Sequence, residues 1–187
     1  DRAGYQDMTS RFFKFCSDSL TEAGYFFHKY NPDGSVGSTW HPWIEDGKIQ
    51  LPIQEDEIAL VLDALWKHYV HHGDKDFIQK LFEPFIRRSA DFMMKFLDLK
   101  TGLPKESYDL WEEKLGIHTF TCATVFAGLR AAANFERVFG TPAKEARCLR
   151  EAERIRDGIL THLYDAERKY FIKGLYYDYD VLKRDTT

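Results

Sequence analysis

The spacing of apolar side chains predicts a chain made mostly of helices. From Asp7 to Leu20 the apolar residues repeat every three or four positions, which is typical of a helix with one buried face. That face comprises Met8, Phe12, Phe15, Cys16 and Leu20. A second helix is expected to begin near Glu55 and to end at Gly73, because a glycine commonly follows the last residue of a helix.

Three further helices are predicted in the second half of the chain. The third follows Asp74, which is a favourable N-cap, and Pro84 should kink or restart it. The fourth runs from about Thr119 to Phe139, and its uncharged first half predicts burial on most sides. The fifth begins at Pro142 and carries many Arg and Glu residues. A buried helix followed by a charged one indicates two concentric layers of helices.

Two long loops and short strands complete the pattern. The aromatic run from Tyr25 to Tyr30 is interpreted as a strand, and the turn sequence Asn-Pro-Asp-Gly follows it. Residues 35–54 and 100–116 are irregular, aromatic and acidic, and long loops in a compact domain are often functional. The segment from Tyr164 to Tyr170 is predicted to be a turn that leads into a strand.

Composition narrows the possible functions. With 44% hydrophobic and 30% charged residues, the chain is expected to be a soluble globule with a large core, and aromatic residues make up 16% of it. A net charge of −4 argues against binding to nucleic acid, and no apolar stretch is long enough for a membrane span. Three widely spaced cysteines indicate neither a disulfide framework nor a zinc site, and they favour a cytoplasmic location. No cofactor is expected.

Carboxylates cluster at the ends of both long loops. The first cluster opens the second helix, where acidic side chains also complement the helix dipole, so a purely structural role is an alternative. It comprises Glu55, Asp56 and Glu57. The second cluster surrounds Trp111 and comprises Asp109, Glu112 and Glu113, for which a solvated acidic loop is the alternative. His68 and His72 share a helix face, but no further ligand completes a metal site, so none is predicted.

Together the clusters suggest the chemistry of a glycoside hydrolase. That reaction needs two carboxyl groups, and sugar rings also need aromatic faces. The candidate faces are Trp40, Trp43, Tyr108 and Trp111, although each tryptophan could instead be a core anchor. Three of the four tryptophans stand in loops beside Pro, Gly or acidic residues, which favours a ligand surface.

At these loops the sequence resembles a known family. The motifs are GSTWHPW at residues 37–43, LPIQEDE at 51–57, SYDLWEE at 107–113 and HTFT at 118–121. In this order they resemble bacterial glucoamylase-type enzymes of glycoside hydrolase family 15. The resemblance covers most of the chain, and Tyr-Asp-Leu-Trp-Glu-Glu is its most specific motif.

The resemblance implies an all-α fold, an (α/α)6 toroid of twelve helices in antiparallel hairpins. Residues 1–187 would form a single partial catalytic domain, with about five helices and with short strands in its long loops. The implied activity is inverting hydrolysis of α-glucosidic bonds from a non-reducing end, with an oligosaccharide or α-glucoside as substrate. Glu112 would be the general acid. The implied substrate-binding residues are Trp40, His41, Trp43, Gln54, Glu55, Asp56, Tyr108, Asp109, Trp111 and Glu113.

The family's general base lies on a later loop that this sequence does not include. We therefore expect a fragment that carries the acid without the base and is weak or inactive by itself. Helices that normally pack on neighbours would expose apolar faces, which favours self-association. The alternatives are a non-catalytic helical carbohydrate-binding or interaction module, and a helical scaffold that binds no ligand.

Overall fold

A computed structural model describes residues 3–38, 44–45, 47–49 and 53–186 of the chain. These residues are mostly helical, and the prediction of about five helices is confirmed. The third helix contains a π-helical segment between two α-helical parts, and the fifth ends in another. The helical elements are α1 (Gln6–Ser19), α2 (Glu55–His72), α3 (Lys75–Leu81), a π segment (Phe82–Arg87), α4 (Arg88–Lys95), α5 (Thr119–Phe139), α6 (Pro142–Gly158) and a second π segment (Ile159–Leu163).

Local signals in the sequence set the helix ends. Gly73 ends α2 with a φ of 70°, and its N–H donates to the carbonyl of Tyr69 at 2.8 Å. Asp74 caps α3, because its carboxylate accepts a hydrogen bond from the N–H of Phe77 at 3.0 Å. Pro84 lies within the first π segment, so the helix widens there and does not stop. Proline cannot donate the usual bond, and a π-bulge accommodates that loss.

The core forms where α5 packs between α2 and α6. Its largest fully buried side chains include Ile58, Leu62 and Leu65 from α2 and Phe135 from α5. Gly128 lies at the α2–α5 contact, where an added Cβ would stand 2.9 Å from the Cα of Ala59. Only a residue without a side chain permits this approach, so Gly128 sets the distance between the two helices.

A buried ion pair joins the first π segment to α5. The Arg87 guanidinium donates to both carboxylate oxygens of Glu136, from Nε at 2.7 Å and from a terminal nitrogen at 3.0 Å. Glu136 is only 4% exposed and also accepts from the N–H of Thr141 at 3.2 Å. Removing Arg87 would leave the buried carboxylate of Glu136 without its ion-pair partner, which is strongly destabilising.

Helix α1 buries only part of the predicted apolar face. Cys16 of that face and Leu20, just after the helix, are buried together with Phe13, whereas Met8 is 67% exposed and Phe12 is 49% exposed. The prediction is therefore wrong for Met8 and Phe12, because apolar residues occur on two sides of α1 and only one side meets the core. None of the helices in the described part of the chain is long and apolar enough to cross a membrane.

A four-stranded antiparallel sheet lies beside the helices. Its strands are β3 (Ser107–Tyr108), β4 (Leu115–His118), β7 (Gly174–Asp178) and β8 (Val181–Asp185), in that spatial order. Two small hairpins are formed by β1 (Ile44–Glu45) with β2 (Lys48–Ile49) and by β5 (Tyr164–Asp165) with β6 (Tyr170–Phe171). Strand β4 leads directly into α5, so the sheet fixes the residues that surround the start of that helix.

One prediction about strands is wrong. Residues 25–30 do not form a strand: the N–H of Phe27 donates to the Tyr30 hydroxyl at 2.9 Å, and only Tyr30 forms a single bridge, with Val36. A side chain therefore takes a bond that a strand would use. The expectation of short strands in the long loops is confirmed, because the second long loop contains β3 and the start of β4.

The close contact at Gly128 predicts the effect of a small substitution. Gly128→Ala should lower the free energy of unfolding by about 1–3 kcal/mol, because the added methyl overpacks the α2–α5 contact. Urea denaturation followed by circular dichroism measures it. Ala123→Gly, at an exposed position of α5, is the control and reports helix propensity alone, about 1 kcal/mol. A Gly128→Ala protein more stable than wild type would show that the contact is not tight.

Candidate active site

The turn between β3 and β4 is organised by one buried carboxylate. Oδ1 of Asp109 accepts hydrogen bonds from the N–H of Glu113 at 2.8 Å and from the N–H of Lys114 at 3.4 Å. The backbone closes the same turn, because the N–H of Glu112 donates to the carbonyl of Asp109 at 2.9 Å. Asp109 therefore shapes the turn that presents Trp111 and Glu112.

Asp109 remains ionised in spite of its burial. It is 4% exposed, and its Oδ2 lies 3.4 Å from Nζ of Lys173. Desolvation opposes ionisation, but hydrogen bonds from the N–H groups of Glu113 and Lys114, with smaller contributions from His118 and Lys173, outweigh it and lower the pKa of Asp109. The side chain therefore acts here as a fixed acceptor.

Glu112 has an unusual backbone conformation. Its φ is 56°, in the left-handed region that a residue with a side chain seldom adopts. This conformation leaves the Glu112 side chain only 19% exposed, with Oε2 at 3.5 Å from Nε2 of His28. The preceding Trp111 is 78% exposed, and Glu113 is also exposed. The turn therefore directs the Glu112 carboxyl inwards and exposes the Trp111 ring to solvent.

Gln54 connects the two acidic clusters. It is the N-cap residue of α2, and its side-chain Nε2 donates to the carbonyl of Asp109 at 2.7 Å. Both residues are buried, so this bond is shielded from water. Clusters that are more than fifty residues apart in the sequence therefore meet at one place, as the resemblance implies.

The acidic residues at the start of α2 are buried more deeply than a role towards the helix dipole requires. Glu55 is 0% exposed, and neither of its oxygens accepts a hydrogen bond within the described part of the chain. Desolvation, with Asp56 beside it, raises the pKa of Glu55 well above its usual value. Desolvation also raises the pKa of Asp56, although the Asp56 N–H and the Thr121 hydroxyl at 3.5 Å partly oppose this.

Glu57 belongs to the same cluster and faces the other loop. Desolvation, together with the nearby carboxylates of Asp56 and Glu112, raises the pKa of Glu57 to about 8. The side chain also lines a groove of about 340 Å³, whose walls are mostly aromatic and aliphatic and which includes His28. A larger cleft, of about 760 Å³, lies along α6 and contains no residue of these clusters.

The structure places the predicted residues as follows. Gln54, Glu55, Asp56, Asp109 and Glu112 surround the junction of α2 with the β3–β4 turn. Tyr108 is 7% exposed, so its ring does not form an open platform. Trp40, His41 and Trp43 lie outside the described residues. Within the described residues, no group of three His, Cys, Asp or Glu side chains has the arrangement of a metal site.

Two residues of the junction were missing from the predicted set. His28 lies in the segment that was interpreted as a strand, and only its contact with Glu112 reveals it. Glu57 belongs to the cluster at the start of α2, but the resemblance does not include it among the substrate-binding residues. The sequence contains one sign that Glu57 lies near the core: the next residue, Ile58, belongs to the predicted apolar stripe of α2 and is fully buried.

Comparison with known proteins agrees with the motifs. The family described as glycosyl hydrolases family 15 matches residues 46–182. An uncharacterized glycosyl hydrolase of Methanocaldococcus jannaschii is 24% identical over 175 residues, which cover 94% of this chain and 26% of the relative. The chain therefore spans about a quarter of that relative's length.

A solved structure shares the fold. A rhamnosidase from Klebsiella oxytoca with rhamnose bound is similar with a TM-score of 0.63 at 15% sequence identity. The similarity covers 91% of this chain and 31% of the rhamnosidase chain.

The burial of Glu57 predicts how stability depends on pH. Its raised pKa means that the folded protein keeps a proton that the unfolded chain releases above the usual value of 4.5. The associated stability is complete below that value and is lost as the pH rises towards 8. Glu57→Gln should therefore reduce the decline in the free energy of unfolding between about pH 5 and pH 8 by roughly 2–4 kcal/mol.

Urea denaturation at several pH values provides the measurement. Glu113→Gln is the matched control, because Glu113 is exposed and should leave the decline unchanged. Some decline will remain in Glu57→Gln, since burial also raises the pKa values of Glu55 and Asp56. Parallel pH curves for Glu57→Gln and the wild type would show that Glu57 titrates normally.

Proposed function

The chain belongs to glycosyl hydrolase family 15, and from this premise we propose that it is part of the catalytic domain of an exo-acting enzyme that hydrolyses α-glucosidic bonds with inversion. In this proposal the helices form part of an (α/α)6 toroid. The fold shared with the rhamnosidase supports that arrangement. The chain spans 26% of the archaeal relative, so the activity proposed is that of a longer catalytic domain.

The conformation of Glu112 is the observation that carries the proposal. A general acid must hold its proton at a fixed position beside the leaving oxygen and away from bulk water. The position of Glu112 fits this role, because a left-handed backbone directs its largely buried carboxyl towards His28 and away from bulk water. Unusual backbone geometry is concentrated at functional sites, which supports the same assignment. We assign Glu112 the role of donating a proton to the glycosidic oxygen.

The surroundings of Glu112 provide the features of a sugar-binding surface. Trp111, the residue before Glu112, exposes its indole ring, and an apolar ring face can pack against the C–H face of a sugar. Glu113 lies beside it and can accept hydrogen bonds from hydroxyl groups. We propose that these residues bind substrate, with Gln54 and Asp109 supporting the loop. Substrate binding by the other residues stays a prediction of the resemblance. These residues are Trp40, His41, Trp43, Glu55, Asp56 and Tyr108.

The proposed reaction also needs an ionised carboxylate as general base. In inverting enzymes this group activates a water molecule on the opposite face of the sugar, about 6.5–9.5 Å from the acid. Glu57 is the described carboxyl that interacts with Glu112, but its pKa of about 8 keeps it protonated at neutral pH, so it does not fit a base. We place the base outside the described residues, and we expect hydrolysis by these 187 residues to be absent or very weak.

Sugar binding can be tested without turnover. We expect the tryptophan fluorescence to change on titration with maltose, isomaltose or trehalose, and Trp111→Ala to abolish that change. Trp66→Phe is the matched control, because Trp66 packs inside the protein against Tyr69 and Phe135. A wild-type protein that responds to none of the three sugars would contradict the proposed subsite and favour a scaffold without ligand.

The role of Glu112 can be tested by supplying an external nucleophile. Azide can attack the anomeric carbon in place of base-activated water, so the products would be β-glucosyl azide and the leaving group. With maltotriose, whose leaving group needs a proton, Glu112→Gln should reduce the rate about 10²–10⁴-fold. With 4-nitrophenyl α-glucoside, which leaves without a proton, the rate should change little.

Glu167→Gln, at an exposed position of the turn between β5 and β6, serves as the control for this experiment. Nuclear magnetic resonance identifies the azide and its anomeric configuration. Equal losses with both substrates, or no loss with maltotriose, would contradict the assignment of the acid. Sugar binding without any azide product would favour the non-catalytic carbohydrate-binding module. Release of β-glucose without azide would show that the general base is already present in this chain.

A further inference from the structure

His28 and Glu112 meet across the junction although they are far apart in the sequence. Nε2 of His28 lies 3.5 Å from Oε2 of Glu112, and both atoms are shielded from solvent. The His28 side chain is 5% exposed and the Glu112 side chain is 19% exposed. An exposed ion pair would contribute little, but a shielded contact of this kind restricts both side chains.

The segment that carries His28 is held by its own hydrogen bonds. The Tyr30 hydroxyl accepts from the N–H of Phe27 at 2.9 Å and donates to the carbonyl of Ser19, the last residue of α1, at 3.0 Å. On the following turn, the N–H of Gly37 donates to the carbonyl of Lys29 at 2.8 Å. These bonds lie on both sides of His28, so the imidazole projects from a fixed backbone.

The Glu112 side is fixed by the turn that Asp109 organises. That turn sets the φ of Glu112 at 56°, so the direction of its side chain follows from the backbone. The remaining freedom is rotation within the side chain, which the imidazole contact can limit. A third group, Glu57, approaches from α2 and interacts electrostatically with Glu112. The Glu112 carboxyl thus has an imidazole at 3.5 Å and a second carboxyl close enough to interact electrostatically.

We infer that His28 is a positioning residue, whose imidazole holds the carboxyl of Glu112 in the orientation from which it donates its proton. This role in catalysis rests on the proposed function, whereas the contact between His28 and Glu112 is independent of it. A separation of 3.5 Å without substrate is compatible with the role, because catalytic hydrogen bonds are often long in unliganded enzymes and shorten when substrate binds. His28 itself need not touch the sugar.

The contact can be tested by spectroscopy on the full chain. In long-range proton–nitrogen spectra of the histidine rings, His28→Gln identifies the His28 signals by their loss. Glu112→Gln should then shift the ring nitrogens of His28, whereas Glu113→Gln, one residue further on, should leave them in place. Ring signals of His28 that are the same in Glu112→Gln and wild type would overturn the inference.

The positioning role can be tested with the azide reaction. His28→Ala should reduce the rate with maltotriose about 10–10²-fold, as expected for a displaced catalytic group, and should change the rate with 4-nitrophenyl α-glucoside little. His28→Gln keeps a hydrogen-bonding side chain and should recover part of the loss. His71→Gln, at an exposed position near the end of α2, is the control. Circular dichroism confirms that each variant is folded.

The two sets of measurements separate the possible failures. A dependence of the maltotriose reaction on Glu112 but not on His28 overturns the positioning role and leaves the proposed function intact. Equal losses with both substrates in His28→Ala also overturn it, since they indicate a general structural defect. If the wild type gives no azide product, the proposed function fails, and the nitrogen shifts alone then decide whether His28 positions Glu112.

Discussion

The close approach of α2 to α5 is the constraint on which the rest of the described structure depends. Gly128 brings the two helices together at Ala59, and this contact fixes the position of the start of each helix. Gln54, at the start of α2, then reaches the carbonyl of Asp109 in the β3–β4 turn. From the first turn of α5, Thr121 reaches Asp56. The loop that presents Glu112 is therefore held by the helical core as well as by its own hydrogen bonds.

Two carboxyl groups at this junction, the buried Asp109 and the half-buried Glu57, acquire opposite protonation states. Asp109 is given backbone N–H donors and the nearby Lys173, so it stays ionised and orders the turn. Glu57 is desolvated beside other carboxylates, and it therefore keeps its proton to about pH 8. Residue type alone does not decide which carboxyl is ionised. The protonation state depends on how many N–H donors the fold directs at each carboxyl, because a hydrogen bond to the charged form offsets the cost of burial.

Much of the fold could be predicted because its signals are local. The end of α2 at Gly73 and the capping of α3 by Asp74 depend on single residues whose preferences are known. The prediction for residues 25–30 is wrong, since a run of aromatic residues resembles a strand while Tyr30 uses its hydroxyl to bind the backbone nearby. The buried face of α1 was also misjudged, because two of its faces are apolar and tertiary packing decides between them.

The candidate site was predictable only as motifs. The resemblance brought residues around Gln54 and Glu112 together, and the hydrogen bond from Gln54 to Asp109 agrees with that grouping. The contact of His28 with Glu112 depends on how α1, α2 and the sheet pack, so the sequence pattern around neither residue predicts it. The burial of Glu57 has the same origin. Charged residues at a helix start are ordinarily solvated, and only the neighbouring loop removes this one from water.

The protonated state of Glu57 suits the proposed substrate. Sugars are neutral and carry hydroxyl groups that both donate and accept hydrogen bonds. A protonated carboxyl can do both, whereas a carboxylate only accepts. The transition state of glycoside hydrolysis develops positive charge on the sugar, which the ionised base offsets from the opposite face. Glu57, which keeps its proton to about pH 8, therefore places a neutral group beside Glu112 at neutral pH.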